Sequence, residues 1–144
     1  MEKTIFEKNV YYSIVWSQAK NCDRHSVLGI PSMPGIACLF QESHNIISHL
    51  LFYACWKSGV RNGIRDLLDP GFSQFPELIE LSEKKDLKYK YAIVDTHYLD
   101  MQDIMYWLIK EYNPTLNNLK DFADSKRYKD IFLMEMLEKN ENDK

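Results

Sequence analysis

The sequence lacks most of the features that mark secreted, membrane-spanning or strongly basic proteins. It has three cysteines in 144 residues, an odd number with no apolar leader before them, which is typical of a protein from a reducing compartment. No apolar run approaches the roughly 18 residues of a membrane-spanning helix. The formal net charge of −3 differs from that of proteins that bind nucleic acids through a broad basic surface. We therefore expect a cytoplasmic protein without a membrane partner.

The motifs of several common enzyme classes are also missing. There is no G-x-S-x-G sequence for a serine nucleophile, and the five glycines are too scattered for a phosphate-binding loop. Cys22 and His25 have the spacing of one zinc-binding pair, but no second close pair follows. Cys38 and Cys55 lie in apolar segments, where cysteine behaves as a small hydrophobic residue. We expect neither a metal nor a cofactor.

The middle of the chain carries the clearest structural patterns, and 45% of all residues are hydrophobic. Two apolar runs at 35–41 and 48–57 are separated by a polar stretch, which predicts a β-hairpin. Ser58 then precedes apolar residues at helical spacing, so we expect a helix after the hairpin. A third strand is predicted at 88–95, and an amphipathic helix at 98–112.

The two ends of the chain and the connecting segments are less regular. Residues 10–20 are rich in β-branched and aromatic residues, and both a strand and an early helix fit them. Residues 21–34 are predicted to be a loop because glycine and proline interrupt them. Asn117 is a structural polar residue, expected to hold its turn through the side-chain amide. Residues 118–140 are predicted to form a C-terminal helix, and we expect 141–144 to fray.

Five short segments between residues 30 and 117 occur in an order and at spacings similar to those of the GIY-YIG nuclease superfamily. The segments are Pro34-Gly35-Ile36 opening a strand, Leu51 to Cys55 in the next strand, Arg61 and Arg65 in a helix, Leu108 to Lys110, and Asn113 to Asn117. The resemblance implies a small sheet of three antiparallel strands flanked by helices. Many members cut DNA with a divalent metal, so magnesium or manganese would be the cofactor of an active member.

Most residues that carry the reaction in that superfamily have no counterpart in this chain. The tyrosine of the first motif falls at Ala37, the glycine of the second at Cys55, the helix arginine at Gly63, and the metal-binding glutamate at Met105. Methionine cannot ligate magnesium, which binds carboxylate and water oxygens. Tyr53 matches a motif tyrosine and is the candidate catalytic residue. The resemblance thus implies the fold, while the missing residues predict loss of the reaction.

Basic side chains after the second strand form the best candidate binding surface. Lys57, Arg61 and Arg65 recur every four residues, and they would share one side of the helix if it began early enough. Such a surface could contact the phosphates of a nucleic acid. The alternative is a solvated helix face on which these charges pair with Asp66 and Asp69.

Together these patterns predict one domain over residues 1–144, of the α/β class in its α+β form. Its core at 30–117 would be a small three-stranded antiparallel sheet flanked by helices, with an added C-terminal helix. The favoured hypothesis is a catalytically inactive GIY-YIG-like domain that binds a protein partner or nucleic acid. One alternative is a divergent metal-dependent DNA endonuclease, and a second is a small-molecule-binding protein with a pocket between sheet and helices.

Overall fold

The computed structural model describes residues 1–139 and shows one mixed β-sheet with helices on both faces. The strands of this part are β1 (Glu2–Phe6), β2 (Asn9–Trp16), β3 (Lys20–Asn21), β4 (Gly35–Ser43), β5 (Ile46–Cys55), β6 (Lys88–Ile93) and β7 (Ile131–Leu137). The helices are α1 (Arg24–Leu28), α2 (Gly59–Leu67), α3 (Pro76–Glu83) and α4 (Tyr98–Tyr112), with a 3-10 helix at Leu119–Asp121. None of these helices is long and apolar enough to cross a membrane.

The sheet is larger than the sequence predicts. Its strands follow the order β1-β2-β6-β4-β5, with β3 beside β6 and β7 beside β2. Paired strands are antiparallel except β2 and β7, which run parallel. The three strands expected from the sequence correspond to β4, β5 and β6, which lie side by side with β4 in the centre. The predicted three-stranded sheet is nevertheless wrong, because four further strands extend it to seven. The α+β character remains.

The C-terminal segment departs most from the sequence prediction. Residues 131–137 form strand β7, so the predicted C-terminal helix is wrong. The run IFLMEML has apolar residues at both helical and alternating spacings, so its own pattern does not decide between the two. Register pairs with β2, from Val10–Ile131 to Trp16–Leu137, supply the neighbouring strand that stabilises the extended form. The tail at 141–144, predicted to fray, lies outside the described residues.

The N-terminal segment that fits both a strand and a helix begins as strand β2. Val10, Tyr12, Ile14 and Trp16 are buried, and the residues between them are more exposed. A period of two residues is that of a strand with one covered face. Long-range pairing on both sides of β2, with β1 and β7, favours the strand.

The sheet carries a hydrophobic core on each face. Helix α4 packs over one face against β2, β4, β5 and β6. Helices α1, α2 and α3 cover the other face, but only over β4, β5 and β6. On that side, no helix of residues 1–139 covers the outward side chains of β2 and β7. The exposed apolar side chains there are Tyr11, Val15, Phe132, Met134 and Met136.

Two buried carboxylates of α4 hold both ends of the chain to the centre of the domain. Asp100 and Asp103 are 4% and 0% exposed. The Oδ1 atom of Asp100 accepts hydrogen bonds from Lys3 Nζ, Tyr12 OH and Arg127 Nη2, at 2.8, 2.8 and 2.9 Å. Arg127 Nη2 also lies 3.1 Å from Asp103 Oδ2, so one guanidinium bridges both carboxylates. Buried charges are tolerated when they are paired and hydrogen-bonded in this way.

Candidate anion-binding site

The candidate site lies in a cavity between α1, α2 and the turn after α2. The local sequence places α1 there. The Asp23 carboxylate caps α1 by accepting a hydrogen bond from the Ser26 N–H at 2.8 Å, as helix N-caps commonly do. The helix ends before Gly29, and Ile30 is buried in the same core as the apolar face of α2. These contacts fix α1 alongside α2.

The first turn of α2 is fixed to the loop that follows α1. Gly59 has a φ of +82°, and the Met33 backbone nitrogen would lie 3.1 Å from a Cβ at this position, so glycine avoids strain there. The Val60 N–H donates a hydrogen bond to the Met33 carbonyl oxygen at 2.9 Å. Val60 is buried and turns the apolar side of α2 to the sheet. Arg61 and Arg65 therefore lie outside that face and border the cavity.

The two arginines face a cavity whose walls are mainly apolar. Arg61 Nε donates a hydrogen bond to the Ile30 carbonyl oxygen at 2.6 Å, which orients the guanidinium. Arg65, one helical turn later, is exposed. The other lining residues are Val27, Leu28, Leu68, Asp69 and Pro70. The cavity volume is about 450 Å³, within the range of small-ligand sites.

Neither guanidinium is neutralised by a carboxylate in the described part of the chain. No Asp or Glu oxygen there lies within 4.0 Å of a side-chain nitrogen of Arg61 or Arg65. The pairing with Asp66 and Asp69 that the sequence allows is therefore not formed. The Asp69 carboxylate instead accepts a hydrogen bond from the Gly71 N–H at 2.9 Å. Two positive groups beside apolar walls suit an anion that carries an apolar body.

Lys57 does not share this site. Helix α2 begins at Gly59, so Lys57 precedes the helix and is not aligned with Arg61 and Arg65. Its side chain is exposed and does not line the cavity. The structure thus brings together two of the three predicted binding residues and separates the third.

Tyr53, the candidate catalytic residue, packs against α2. Its ring atom Cε1 would lie 3.7 Å from a Cβ at Gly63, and Cys55 Sγ would lie 2.3 Å from the same position. Burial raises the pKa of the Tyr53 phenol, and the Asp66 carboxylate raises it further. The hydroxyl is therefore protonated at neutral pH, which makes Tyr53 a poor general base.

Met105 lies on the other side of the sheet from Tyr53. Met105 is buried in the core beneath α4, whereas Tyr53 packs against the core beneath α2. Both border an open groove of about 340 Å³ at the edge of β5. Asn117 lines the same groove, where its side-chain amide accepts a hydrogen bond from the Phe52 N–H at 2.8 Å and donates one to the Phe52 carbonyl at 3.0 Å. Asn117 therefore pairs with the edge strand β5.

The described residues offer little for thiol or metal chemistry. All three cysteines are buried, and this burial raises the pKa of Cys22, Cys38 and Cys55 to about 12. A protonated thiol is a weak nucleophile and a weak metal ligand. Within residues 1–139, no group of three or more His, Cys, Asp or Glu side chains is placed to hold a metal ion.

The sequence predicts the two arginines of the site but not the side of the cavity that α1 forms. Val27 and Leu28 belong to α1, a helix of only five residues in a segment whose glycine and prolines predict a loop. Asp23 is the available signal, because aspartate is a preferred helix N-cap residue. The contact between α1 and α2 joins segments more than thirty residues apart, which no local pattern reveals.

Comparisons with known proteins place the chain in one family. Residues 1–144 match a family model described as "Uncharacterised protein", and the chain belongs to that family. The comparisons with curated proteins and with solved structures gave no match.

Proposed function

We propose that this protein is a binding module whose ligand is a small organic anion, with a phosphate or carboxylate group on an apolar body. The ligand occupies the cavity between α1 and α2, and Arg61 and Arg65 bind its charged group. The observation that carries this proposal is the pair of guanidinium groups on one side of α2, without carboxylate partners in the described residues and beside apolar walls.

The chemistry of the site favours an anion with an apolar part over a bare ion. Arginine presents a planar fork that binds carboxylate or phosphate through two hydrogen bonds. The bond from Arg61 Nε to Ile30 fixes one guanidinium in advance, so less side-chain freedom is lost on binding. Val27 and Leu68 would cover the apolar body of the ligand. A ligand of about 10 to 20 non-hydrogen atoms, at roughly 0.3 kcal/mol per atom, would bind with a Kd between tens of micromolar and several millimolar, weaker for the smaller ligands.

The packing around the nuclease-like positions supports a binding role without DNA cleavage. Ala37 is completely buried, so a tyrosine there would have no room. A Cβ at Gly63 would lie 2.3 Å from Cys55 Sγ, so an arginine there would require the hairpin and α2 to separate. The resemblance to GIY-YIG nucleases stays a prediction. A broader nucleic-acid surface would need Lys57 together with Arg61 and Arg65, and the early helix start that would align them is not formed.

Calorimetric titration with defined probes tests the proposal. Phenyl phosphate and octanoate serve as anionic probes, with benzyl alcohol and octanol as neutral counterparts. We expect the anions to bind at least tenfold more tightly, since losing a charge-assisted hydrogen bond costs roughly 1.5–3 kcal/mol. Arg61→Met and Arg65→Met keep the apolar stem but remove the charge, and each should weaken binding of the anions about tenfold or more.

Lys57→Met is the matched control, because it removes the same charge outside the cavity. We expect it to change the Kd by less than about twofold. Equal binding of anionic and neutral probes, or an equal loss in all three variants, would contradict the proposal.

A parallel assay for plasmid nicking with magnesium or manganese, on the native protein and Tyr53→Phe, tests the endonuclease alternative. Metal-dependent nicking by the native protein that is lost in the variant would establish that alternative.

A further inference from the structure

Strand β7 is an open edge of the sheet in the described part of the chain, where its strand partner is β2. Val10 N–H donates a hydrogen bond to the Asp130 carbonyl oxygen, and Glu138 N–H donates one to the Trp16 carbonyl oxygen. In β7 and the residues next to it, the backbone N–H and C=O groups of even-numbered residues therefore point towards β2. Successive residues of a strand point their N–H and C=O groups to opposite sides. The groups of residues 131, 133, 135 and 137 therefore point away from the sheet.

The side chains of β7 do not protect this edge. Edge strands usually carry an outward charge, a proline or a bulge that prevents pairing with another chain. The one charged residue of β7 is Glu135, and its carboxylate accepts hydrogen bonds from Trp16 Nε1 at 2.8 Å and from the Tyr112 hydroxyl. The Glu135 carboxylate is therefore already hydrogen-bonded within its own domain. The opposite face of β7 is apolar, with exposed side chains of Phe132, Met134 and Met136.

We infer that β7 pairs with β7 of a second copy of this chain, antiparallel and across a two-fold axis at Met134. This inference is independent of the anion-binding site. The axis places Met134 opposite the partner's Met134, and Phe132 opposite the partner's Met136. Residues of the apolar face thereby meet on one side of the joined sheet. The outward backbone groups supply about eight interchain hydrogen bonds in this register.

The same register explains an exposed residue on the covered side of β7. Leu137 is 63% exposed, although its alternation with Glu135 places it on the side that packs towards α4. In the dimer it lies opposite Ile131 of the second copy. Leu133 lies opposite Glu135 of the second copy, whose carboxylate keeps its bonds to Trp16 and Tyr112. Apart from Glu135, the paired side chains on this covered face are apolar.

The surface available matches a self-complementary dimer of modest affinity. Four apolar side chains of β7 are between 41% and 63% exposed, which corresponds to roughly 100 Å² each and about 400 Å² per protomer. With the backbone edge added, the area stays below the ~800 Å² per partner of a standard interface, which is consistent with modest affinity. A two-fold axis needs only one such strand, because each copy supplies the same patch. Asp130 meets the partner's Glu138 at each end, and this like-charge pair limits the affinity.

Sedimentation velocity over about 5–500 μM protein tests the inference, a range that covers micromolar dimers. We expect a concentration-dependent dimer. Met134→Lys should raise the dimer dissociation constant at least tenfold, because it removes the apolar pair at the axis and brings two like charges opposite each other. Met33→Lys, which changes an exposed methionine elsewhere, should leave it unchanged. A chain that stays monomeric throughout, or a dimer that Met134→Lys leaves intact, would overturn the inference.

Oxidative cross-linking tests the register separately. Met134 occupies a non-hydrogen-bonded site opposite its own copy, where Cα atoms are about 4.5 Å apart, close enough for a disulfide. Met134→Cys should therefore give a covalent dimer on mild oxidation. Met136→Cys should not, since two copies of that position are about 14 Å apart along the strand. The native cysteines are buried and do not interfere. Equal cross-linking of both variants would overturn the register.

Discussion

Replacing Asp100 with asparagine should destabilise the fold more than any ordinary surface substitution. Asp100 is 4% exposed, and its Oδ1 accepts hydrogen bonds from Lys3, Tyr12 and Arg127. These donors come from β1, β2 and the segment before β7. Asp100→Asn keeps the shape of the side chain but removes the negative charge, which leaves Lys3 and Arg127 without their shared counter-charge.

The magnitude follows from the pKa of Asp100. Desolvation by burial raises this pKa, but hydrogen bonds from Lys3, Tyr12 and Arg127 outweigh it and lower the pKa from 3.8 to about 2. At 1.36 kcal/mol per pKa unit, this difference corresponds to about 2 kcal/mol of folding free energy at neutral pH. Lys3 and Arg127 are about a quarter exposed, at 25% and 29%, so water compensates part of their loss. We expect Asp100→Asn to cost about 2–3 kcal/mol and to lower the Tm by roughly 5–12 °C.

The pH dependence gives this prediction a definite sign. Because the pKa of Asp100 is lower in the folded protein than in the unfolded chain, its contribution is present above about pH 5. That contribution is lost as the pH falls through 3.8 towards 2. The difference in unfolding free energy between the native protein and Asp100→Asn should therefore shrink by about 2 kcal/mol over this window.

Urea unfolding at several pH values between about 7 and 2, followed by tryptophan fluorescence, measures this difference. Asp95→Asn is the matched control: Asp95 lies just before α4 and is exposed, so its substitution should cost less than about 0.5 kcal/mol at every pH. A loss below about 0.5 kcal/mol for Asp100→Asn, or a loss that stays constant with pH, would refute the electrostatic account of this network.

Three further substitutions or treatments test other parts of the fold. Gly63→Ala would place a Cβ 2.3 Å from Cys55 Sγ, so we expect the free energy of unfolding in urea to fall by about 1–3 kcal/mol. Gly29→Ala is the control: its nearest contact would be at 3.6 Å, and its free energy of unfolding should stay within about 1 kcal/mol of the native value. Asn117→Ala leaves the Phe52 N–H and carbonyl without their side-chain partners, so it should lower the free energy of unfolding by about 1–3 kcal/mol. It should also speed hydrogen exchange at the Phe52 amide, and unchanged exchange would contradict the pairing of Asn117 with β5. Iodoacetamide at pH 8 should label none of the three buried cysteines in the folded protein and all of them in guanidinium; rapid labelling of the folded protein would contradict their burial.

The centre of the fold is predictable from the sequence because its signals are local. The apolar runs of β4 and β5, the turn at His44 and Asn45, and the helical spacing in α4 each depend on neighbouring residues. His44 and Asn45 both adopt positive φ, 53° and 65°, as a two-residue hairpin turn requires. Helix α4 has the predicted bounds, and β4 and β5 lie within about two residues of theirs.

The remainder of the fold depends on contacts that a local pattern does not contain. The segment IFLMEML becomes a strand because β2 lies beside it, and its partner is more than a hundred residues earlier in the chain. The buried pair Asp100 and Asp103 lies within the regular helical spacing of residues 98–112, yet their partners Lys3 and Arg127 come from segments near the two ends of the chain. A prediction from periodicity assigns such carboxylates to solvent.

The candidate site, too, is predictable only where its signals are local. The spacing of Arg61 and Arg65 predicts that they share a helix face, and they do. Lys57 has the same spacing, but the positive φ of Gly59 and its contact with Met33 fix the helix start after it. The cavity exists only because α1 packs against α2, so its apolar wall could not be read from the arginines alone.

Mapping a bound anion onto the folded protein tests the proposed function most directly. Backbone amide NMR shifts of the labelled chain would be followed during titration with phenyl phosphate. We predict saturable shifts at Leu28, Arg65 and Leu68, which border the cavity, and their loss in the Arg61→Met, Arg65→Met double variant. Absence of saturable shifts, or shifts centred on Lys57 that survive in the double variant, would contradict the proposal.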